Sequence, residues 1–384
     1  VLADPIFAEA VPPHVDLRLV ASNAPQVARA FLTLHRAYVQ ANERLASLDA
    51  ALDQDGVRPG ASPWDEVRDF FHYCDNYIDA VDHAAERFTN GKSAGQAIRD
   101  ACEGLGIQRR DAEEESVTRR YDRATRTLWL SPTAAESTRR FQTLHQIALE
   151  TQGDLIDATL DLARFQSDTA RDIAKIGVAN YFAGAALMPY GAFLAAARDT
   201  RHDLERLARQ FGASLEQVAH RLSTLQRPGA KGVPFFFVRV DQAGTITKRH
   251  SATRLQFARY GGACPLWNVH RAFETPNRFL RQLAETPDGM RYLCLAQEIS
   301  VPGTAFRAPT RRFAIALGCE ISHAGSVVYS DGLDLSDSAA FEPIGISCRI
   351  CERRNCHQRS VPPLESELTI RHDRRETLPY EVAG

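Results

Sequence analysis

Apolar residues recur every three or four positions along the first quarter of the chain, as they do on the buried face of a helix. One such stretch runs from Pro25 to Leu52, and a second runs from Val67 to Phe88. Pro63 precedes the second stretch, and proline is favoured at the first position of a helix. The segment between the two stretches contains glycine and proline, so we predict two long helices joined as an antiparallel hairpin.

The pattern then predicts shorter elements. A third helix is predicted over 93–104, and two short alternating stretches within 117–130 predict a small β-hairpin. Helical spacing returns between residues 134 and 226. Breaks in this helical region are expected at Gly153, Pro189 and Gly212, and Ser214 is expected to cap the helix after the last of them.

After Pro228 the pattern becomes strand-like, over 233–240, 292–299 and 313–317, and the chain from 347 onward is rich in Cys, Arg and Pro. These patterns predict an α+β fold that is predominantly helical. Four regions are expected: a helical linker or dimerisation domain over 1–110, a helical domain over 111–228, a mixed α/β ligand-sensing region over 229–345, and a Cys-rich metal-binding segment with a tail over 346–384.

The 384 residues are 44% hydrophobic, which is enough for a sizeable core, and the net charge of −2 argues against a chain that binds polyanions as a whole. Charges interrupt the apolar stretches well before the length that spans a bilayer, and no signal peptide opens the chain. We therefore expect a cytoplasmic protein without membrane contact. Because the first residue is Val1, we also expect a fragment of a longer protein.

Eight cysteines are present, and a chain of this size does not need disulfides for stability. Cys348, Cys351 and Cys356 lie close together, and free cysteines seldom cluster in this way unless they bind a metal. A fourth ligand is needed for tetrahedral zinc or for an iron–sulfur cubane. Cys319 is the nearest in sequence, and Cys264 is the alternative.

The cysteine pattern leaves the identity of the metal open. Zinc ribbons usually use two CxxC pairs, and this segment has one, Cys348-x-x-Cys351. An all-thiolate set at irregular spacing fits an iron–sulfur cluster somewhat better than zinc. Arg349, Arg353 and Arg354 would offset the negative charge of the thiolates.

The segment around His145 has the shape of the HExxH helix of zinc hydrolases, in which two histidines on one helix face bind zinc and the glutamate is the base. Here Gln146 stands at the glutamate position and Leu149 at the second histidine position. One histidine cannot hold a catalytic zinc, and glutamine cannot act as the base. We therefore expect no enzymatic activity, and a core helix that carries one hydrogen-bonded histidine.

The His145 helix, YFAGAALMP (181–189) and FGASLEQVAHRL (211–222) together resemble the IrrE-type metallopeptidase domain without its catalytic residues. Three further segments are more specific: VRDFFHYCDNY (67–77), CPLWNVH (264–270) and the cysteine segment from Gly345 to Pro363. They resemble the short-chain fatty acyl transcriptional regulators, and this resemblance covers nearly the whole chain.

The resemblance implies a regulator that senses propionyl-CoA or a related thioester and controls genes for propionate use and the methylcitrate cycle. Members of the family bind promoter DNA through an N-terminal helix-turn-helix domain, which we do not find in this sequence. The resemblance also implies a [4Fe–4S] cluster on Cys348, Cys351 and Cys356, with Cys319 as the expected fourth ligand. Regulators of this kind are usually homodimers, so we expect a homo-oligomer, either a dimer or a tetramer.

An acyl-CoA site requires cationic side chains for the phosphates and an aromatic or apolar surface for the adenine. No glycine-rich phosphate loop is apparent in the sequence. The candidate contacts are Arg68, His72, Asn76, Tyr77, Lys248, Arg249, Trp267 and His270. Each has an ordinary structural alternative, because four-residue spacing also marks a solvated helix face and an aromatic side chain also fills a core.

Two other functions remain open on the sequence. A metal or redox sensor with a structural zinc and no acyl-CoA ligand would require the cysteine cluster alone. A zinc peptidase that cleaves a repressor would use the helix around His145, and the missing glutamate and second histidine count heavily against it.

Overall fold

The computed structural model describes residues 63–382 except 115, 256, 258–262, 302, 304–305, 352, 364–367 and 375–376, together with scattered positions between 20 and 35. The chain divides into two compact units, Val1–Ser62 and Pro63–Gly384. Within the first predicted long helix, the described positions from 25 to 35 are helical. The rest of that helix and its turn lie outside the described residues, so the hairpin stays a prediction.

The second predicted helix is in fact two helices, α1 (Pro63–Tyr73) and α2 (Asp79–Thr89). It begins where predicted, but the chain turns between the two helices, where Asp75 and Asn76 have φ angles of 49° and 56°. This left-handed conformation cannot continue an α-helix. The prediction of one long helix was wrong because the apolar spacing persists through the turn, where Tyr77 is buried.

A three-stranded sheet follows helix α3 (Ala94–Leu105), which ends at Gly106 with a φ of 67°. Its strands are β1 (Gln108–Asp111), β2 (Arg119–Asp122) and β3 (Thr127–Leu130). β2 and β3 are the predicted hairpin, and β1 pairs with β3 in parallel, which gives the order β1-β3-β2. β1 was not predicted because all of its residues are polar and exposed, so it has no alternating pattern.

Six helices fill the region from 136 to 223. They are α4 (Glu136–Thr151), α5 (Gly153–Asp161), α6 (Asp168–Leu187), α7 (Tyr190–Asp199), α8 (Leu204–Phe211) and α9 (Leu215–Ser223). The expected breaks at Pro189 and Gly212 each fall between two of these helices, and Gly153 is the first residue of α5, directly after the break. Ser214 caps α9 as predicted, because its hydroxyl accepts from the Gln217 N–H and the Gln217 side chain accepts from the Ser214 N–H.

Helix α6 lies at the centre of the helical core. Its residues Ala174, Val178, Phe182 and Ala186, one turn apart, are fully buried, and α6 contacts α1, α2, α4 and α5. This stripe explains the apolar character of α6. No single helix in the described part of the chain is long and apolar enough to cross a membrane, and α6 with α7 reaches that length only as a pair bent by 59°.

The C-terminal half is built on a six-stranded sheet of order β5-β4-β8-β7-β6-β9. Its strands are β4 (Phe236–Asp241), β5 (Ile246–Ser251), β6 (Leu280–Glu285), β7 (Arg291–Glu298), β8 (Phe313–Glu320) and β9 (Glu342–Pro343). The strands predicted over 233–240, 292–299 and 313–317 are confirmed as β4, β7 and β8. β5 was not predicted, because it lies at the edge of the sheet and carries polar residues.

This sheet separates two apolar cores. Phe237 and Leu317 pack in the core that also contains the helices, whereas Phe236 and Ala316 pack in a second core with Trp267. Successive side chains of a strand point to opposite faces, so β4 and β8 are largely apolar because both of their faces are buried; Arg239, Asp241 and Glu320 are only half-buried. The sheet therefore joins the helical part of the molecule to the loops that carry the cysteines.

Candidate functional site

Four cysteines line one small cavity beside the second core. Cys264 lies in the loop between β5 and β6, and Cys348, Cys351 and Cys356 follow β9. Cys264 and Cys351 are buried, and the other two are half-buried. The cavity has a volume of about 10 Å³, roughly the space of one water molecule. The tertiary structure therefore adds a thiol from a distant segment to the three that cluster in the sequence.

Cys319, the expected fourth ligand, lies elsewhere. It stands in β8 opposite Leu293 and packs in the core that contains the helices, whereas Cys264 belongs to the core on the other face of the sheet. Burial raises the pKa of the Cys319 thiol to about 12. The structure thus brings Cys264, the alternative fourth ligand, to the three cysteines that cluster in the sequence. Cys319 does not reach them, because the alternation of β8 turns its side chain to the opposite face of the sheet.

The backbone around Cys264 directs hydrogen-bond donors at its sulfur. The N–H groups of Leu266 and Gly345 donate to this sulfur. Burial raises the pKa of the Cys264 thiol, and these two hydrogen bonds oppose the rise. Gly345 cannot carry a side chain without displacement, since a Cβ there would lie 2.9 Å from the Cys351 Sγ. The His270 ring bonds the Cys264 carbonyl and so helps to fix the loop.

Two arginines border the same cavity. The Arg359 guanidinium donates to the carbonyl oxygens of Cys348 and Cys351, at 3.2 and 3.3 Å, and the side chain of Arg353 donates to the Glu285 carbonyl at 2.9 Å. The Nε atoms of both arginines are buried without a hydrogen-bond partner. A buried cationic donor left unpaired is costly. Negative charge on the nearby sulfurs would compensate this cost.

The donor set fits a thiolate-bound metal. As the side chains stand, no three Cys, His, Asp or Glu residues among those described are arranged as metal ligands, so the thiols would have to close on a metal by side-chain rotation. Sulfur ligands suit zinc and iron–sulfur clusters, whereas calcium and magnesium take oxygen ligands. N–H donors to sulfur and neighbouring positive charge are features that tune such centres.

The helix that resembles a zinc-hydrolase helix is α4, and its histidine is buried. His145 Nδ1 lies 2.8 Å from the Asn180 Oδ1, and Nε2 is buried without a partner. Burial lowers the pKa of His145 to about 4, and the Arg119 guanidinium adds to the lowering. Gln146 bonds Glu150 within the helix. The arrangement is that of a core histidine, as the sequence predicted.

A buried ion pair that sequence inspection missed joins α2 to α9. Asp82 and Arg221 form a bidentate pair at 2.8 and 2.9 Å, and the Tyr181 hydroxyl of α6 donates to the same carboxylate at 2.7 Å. Burial alone would raise the pKa of Asp82, but Arg221, the Tyr181 hydroxyl and Arg227 together more than offset this and hold it below the usual value. Single charged residues in helices carry no sequence signal of such pairing.

The candidate CoA contacts around α1 are engaged in local structure. Arg68 pairs with Asp65 of its own helix, and His72 is exposed. Asn76 is not on a helix face, contrary to the predicted four-residue stripe, because it lies in the left-handed turn; it is buried and bonds the His250 ring at 2.6 Å. Tyr77 is also buried.

The remaining candidate contacts lie in two places. Lys248 and Arg249 are in β5, where Lys248 pairs with Glu216 at 2.6 Å. Trp267 packs between Phe236 and Phe257 in the second core. The structure therefore does not gather the predicted CoA contacts into one pocket, and it assigns Trp267 to the core.

The chain matches two family models. Residues 224–380 match the C-terminal region of the short-chain fatty acyl coenzyme A regulators, and residues 101–223 match the IrrE N-terminal-like domain. The second match begins within α3 and ends with α9, so it includes the His145 helix.

Curated relatives and a solved structure agree with these matches. The propionyl-CoA carboxylase regulator of Cereibacter sphaeroides is 67% identical over 99% of this chain and 82% of its own length. The transcriptional regulator PrpR of Mycobacterium tuberculosis is 41% identical over 93% of this chain and 75% of its own. A solved Mycobacterium tuberculosis transcriptional regulator has a TM-score of 0.79 at 41% identity and covers 83% of this chain and 99% of its own. The chain therefore belongs to the short-chain fatty acyl coenzyme A regulators, with an IrrE-like domain before the C-terminal region of the family.

Proposed function

We propose that this chain is the ligand-sensing part of a transcription regulator that binds CoA or a short-chain acyl-CoA, with propionyl-CoA as the expected effector. The observation that carries the proposal is the similarity, over 99% of the chain, to a propionyl-CoA carboxylase regulator. The relative PrpR, which is named as a helix-turn-helix regulator, supports promoter DNA as the partner. Genes for propionate use and the methylcitrate cycle are the proposed targets.

Sensing requires two arrangements of the protein that bind the ligand with different affinity. The six-stranded sheet is the proposed element of coupling, because one of its faces packs with the helices and the other packs with the loop of Cys264. A ligand that shifts either face changes the packing of the other, since a packed core is not continuously deformable.

We further propose that Cys264, Cys348, Cys351 and Cys356 hold a metal centre. Four thiolates, donors aimed at the Cys264 sulfur and unpaired arginine Nε atoms favour a [4Fe–4S] cluster, and zinc is the alternative. Such a centre would supply a cross-link between the Cys264 loop and the C-terminal segment, and in the iron form a redox-sensitive one. The chain's own contribution is to fix these two segments and to balance the thiolate charge with Arg353 and Arg359.

The metal proposal is tested by iron, sulfide and zinc analysis of anaerobically purified protein, with its visible absorption spectrum. Iron and sulfide with thiolate-to-iron absorption would identify a cluster, and about one zinc per chain would identify a zinc site. Cys264→Ser is expected to lose the metal. Cys319→Ser is the matched control, since it is a buried cysteine on the other face of the sheet, and it is expected to retain the metal. The reverse result would refute the ligand assignment.

The acyl-CoA proposal is tested by isothermal titration of the full-length regulator with propionyl-CoA, followed by operator binding with and without it. Saturable binding that changes operator affinity is the expected result. If no heat is released at any concentration tested, the acyl-CoA proposal fails.

A metal or redox sensor without an acyl-CoA ligand is the second candidate. It is favoured by the partial exposure of Cys348 and Cys356, which gives an oxidant access to the centre. Rapid bleaching of the spectrum in air, together with loss of operator binding and no propionyl-CoA binding, would favour this candidate over the first.

A further inference from the structure

The chain between β7 and β8 extends beyond the sheet and carries no acidic residue. It reads ISVPGTAFRAPTRR (299–312), with three arginines and neither Asp nor Glu. In the described part of the chain, β6 pairs with β7 as far as Ala296 and β4 pairs with β8 as far as Phe313, so neither neighbouring strand accompanies this segment. In a chain whose net charge is −2, it is a local concentration of positive charge. We call this segment the hairpin arm.

The two sides of the hairpin arm are held against each other. Val301 and Arg311 exchange two backbone hydrogen bonds, of 2.9 and 3.0 Å, as an antiparallel pair does. Nearer the tip, Gly303 lies so close to the opposite side that a Cβ there would be 2.5 Å from the Ala308 carbonyl oxygen. Glycine permits this approach because it has no side chain. The arm is therefore a narrow two-stranded ribbon.

The tip of the hairpin arm exposes an aromatic ring. Phe306 has a relative exposure of 103%, the highest of any large apolar side chain among the described residues, and Val301 on the same arm is 50% exposed. An aromatic ring has a large apolar surface and gains stability when a partner buries it. The tip therefore offers an aromatic contact surface that the described part of the chain leaves uncovered.

Two arginines of the hairpin arm are not neutralised. Arg307, next to Phe306, and Arg311 are both exposed, and neither forms an ion pair with any described residue. Arg312 differs, because it pairs with the buried Glu298 at 2.8 Å. A guanidinium group presents parallel N–H donors that match the oxygens of a phosphate. The arm thus presents two cations and one aromatic ring to solvent, without a carboxylate of its own to compete for them.

We propose that the hairpin arm contacts duplex DNA, with Arg307 and Arg311 on backbone phosphates and Phe306 as an apolar wedge against the bases. The proposal rests on the promoter partner proposed above and adds a contact outside the helix-turn-helix domain. A two-stranded ribbon is narrow enough to enter a groove, and an apolar side chain inserted beside arginines unstacks a base step and bends the duplex. Charge favours DNA over an apolar protein surface, which would leave Arg307 and Arg311 without a partner.

The phosphate contacts are tested by titrating a fluorescent, random-sequence DNA duplex with the chain of 384 residues at several salt concentrations. We expect saturable binding that weakens as salt rises. Arg307→Gln and Arg311→Gln should each lower the affinity by up to about tenfold at about 0.1 M salt and reduce the slope of log affinity against log salt by about one. Arg307→Lys keeps the charge and should keep the slope. Arg206→Gln, which removes an exposed charge on α8, is the matched control and should bind like the wild type.

The wedge is tested with the same duplex carrying a donor and an acceptor fluorophore at its two ends. Binding of the wild type is expected to raise energy transfer, because a wedged duplex is bent. Phe306→Ser should bind with an unchanged salt slope but without this rise, and Phe306→Leu should restore part of it. A duplex that the wild type binds without bending would overturn the role of Phe306.

The arm assignment fails if the wild type does not bind the duplex, or if Arg307→Gln and Arg311→Gln bind as the wild type does. It also fails if Phe306→Ser changes the sedimentation coefficient of the chain and leaves DNA binding unchanged, since the tip would then contact a second copy. All three positions are exposed, so urea denaturation should match the wild type. If the full-length regulator binds no promoter DNA, the proposed function fails, and the random-sequence duplex still decides the arm.

Discussion

The ion pair between Asp82 and Arg221 gives a sharp test of how the helical core is held together. The Asp82 carboxylate is fully buried and the Arg221 side chain is 3% exposed, and they meet at 2.8 Å. Asp82→Asn preserves the shape of the side chain but leaves the Arg221 charge without its partner. Breaking a buried pair in this way costs about 3–5 kcal/mol, because an uncompensated charge stays in a low-dielectric environment.

A double variant separates the cost of the stranded charge from the loss of the contact. Asp82→Asn with Arg221→Gln removes both charges, so we expect it to be more stable than Asp82→Asn alone. The matched control is Asp100→Asn, which breaks the Lys92–Asp100 pair at the same 2.8 Å but with side chains 51% and 39% exposed. An exposed pair is screened by solvent and contributes little, so the control is expected to change the stability little.

The assay is urea denaturation at pH 7 followed by circular dichroism. The pKa of Asp82 is lowered by folding, so the contribution of the pair is present above about pH 4 and is lost as the pH falls through the folded pKa. The argument that a stranded buried charge destabilises the core is wrong in either of two cases: if Asp82→Asn lowers the free energy of unfolding by less than about 1 kcal/mol, or if the double variant is no more stable than Asp82→Asn alone.

Three further predictions concern α4, the cysteine cavity and α9. The pKa of His145 is lowered to about 4, so the folded state resists protonation of its ring, and the free energy of unfolding should fall as the pH drops from about 6.5 towards 4. His145→Gln should flatten that part of the pH–stability curve relative to the wild type. A curve with the same slope as the wild type would contradict this prediction. If the four cysteines hold the proposed metal, Gly345→Ala should reduce the metal content of purified protein relative to the wild type, because its Cβ would lie 2.9 Å from the Cys351 Sγ; a metal content equal to that of the wild type would show that the loop yields. Ser214→Ala removes the hydroxyl of the capping box and should lower the free energy of unfolding, measured by urea denaturation, by about 1 kcal/mol. An unchanged free energy of unfolding would show that the cap is dispensable.

The helical region was predicted well because each of its signals is local. A stripe of apolar residues at helical spacing defines α6, and proline and glycine mark boundaries through their own backbone restrictions. The Ser214 cap likewise depends on residues within one turn. The turn between α1 and α2 escaped prediction because its left-handed residues are stabilised by the distant His250, to which Asn76 is hydrogen-bonded.

The sequence by itself determined the family, the apolar strands, the loss of the peptidase residues around His145 and the cluster of three cysteines near the C-terminus. The tertiary structure decided which distant residues meet. It placed Cys264 beside Cys348, since the two faces of the sheet separate Cys264 from Cys319. It also placed Arg109 and Arg110 on opposite faces of β1, opposite Leu128 and Trp129 of β3. Local patterns fix local elements, whereas strand alternation and register, set by pairing over long separations, decide which face and which partners each side chain has.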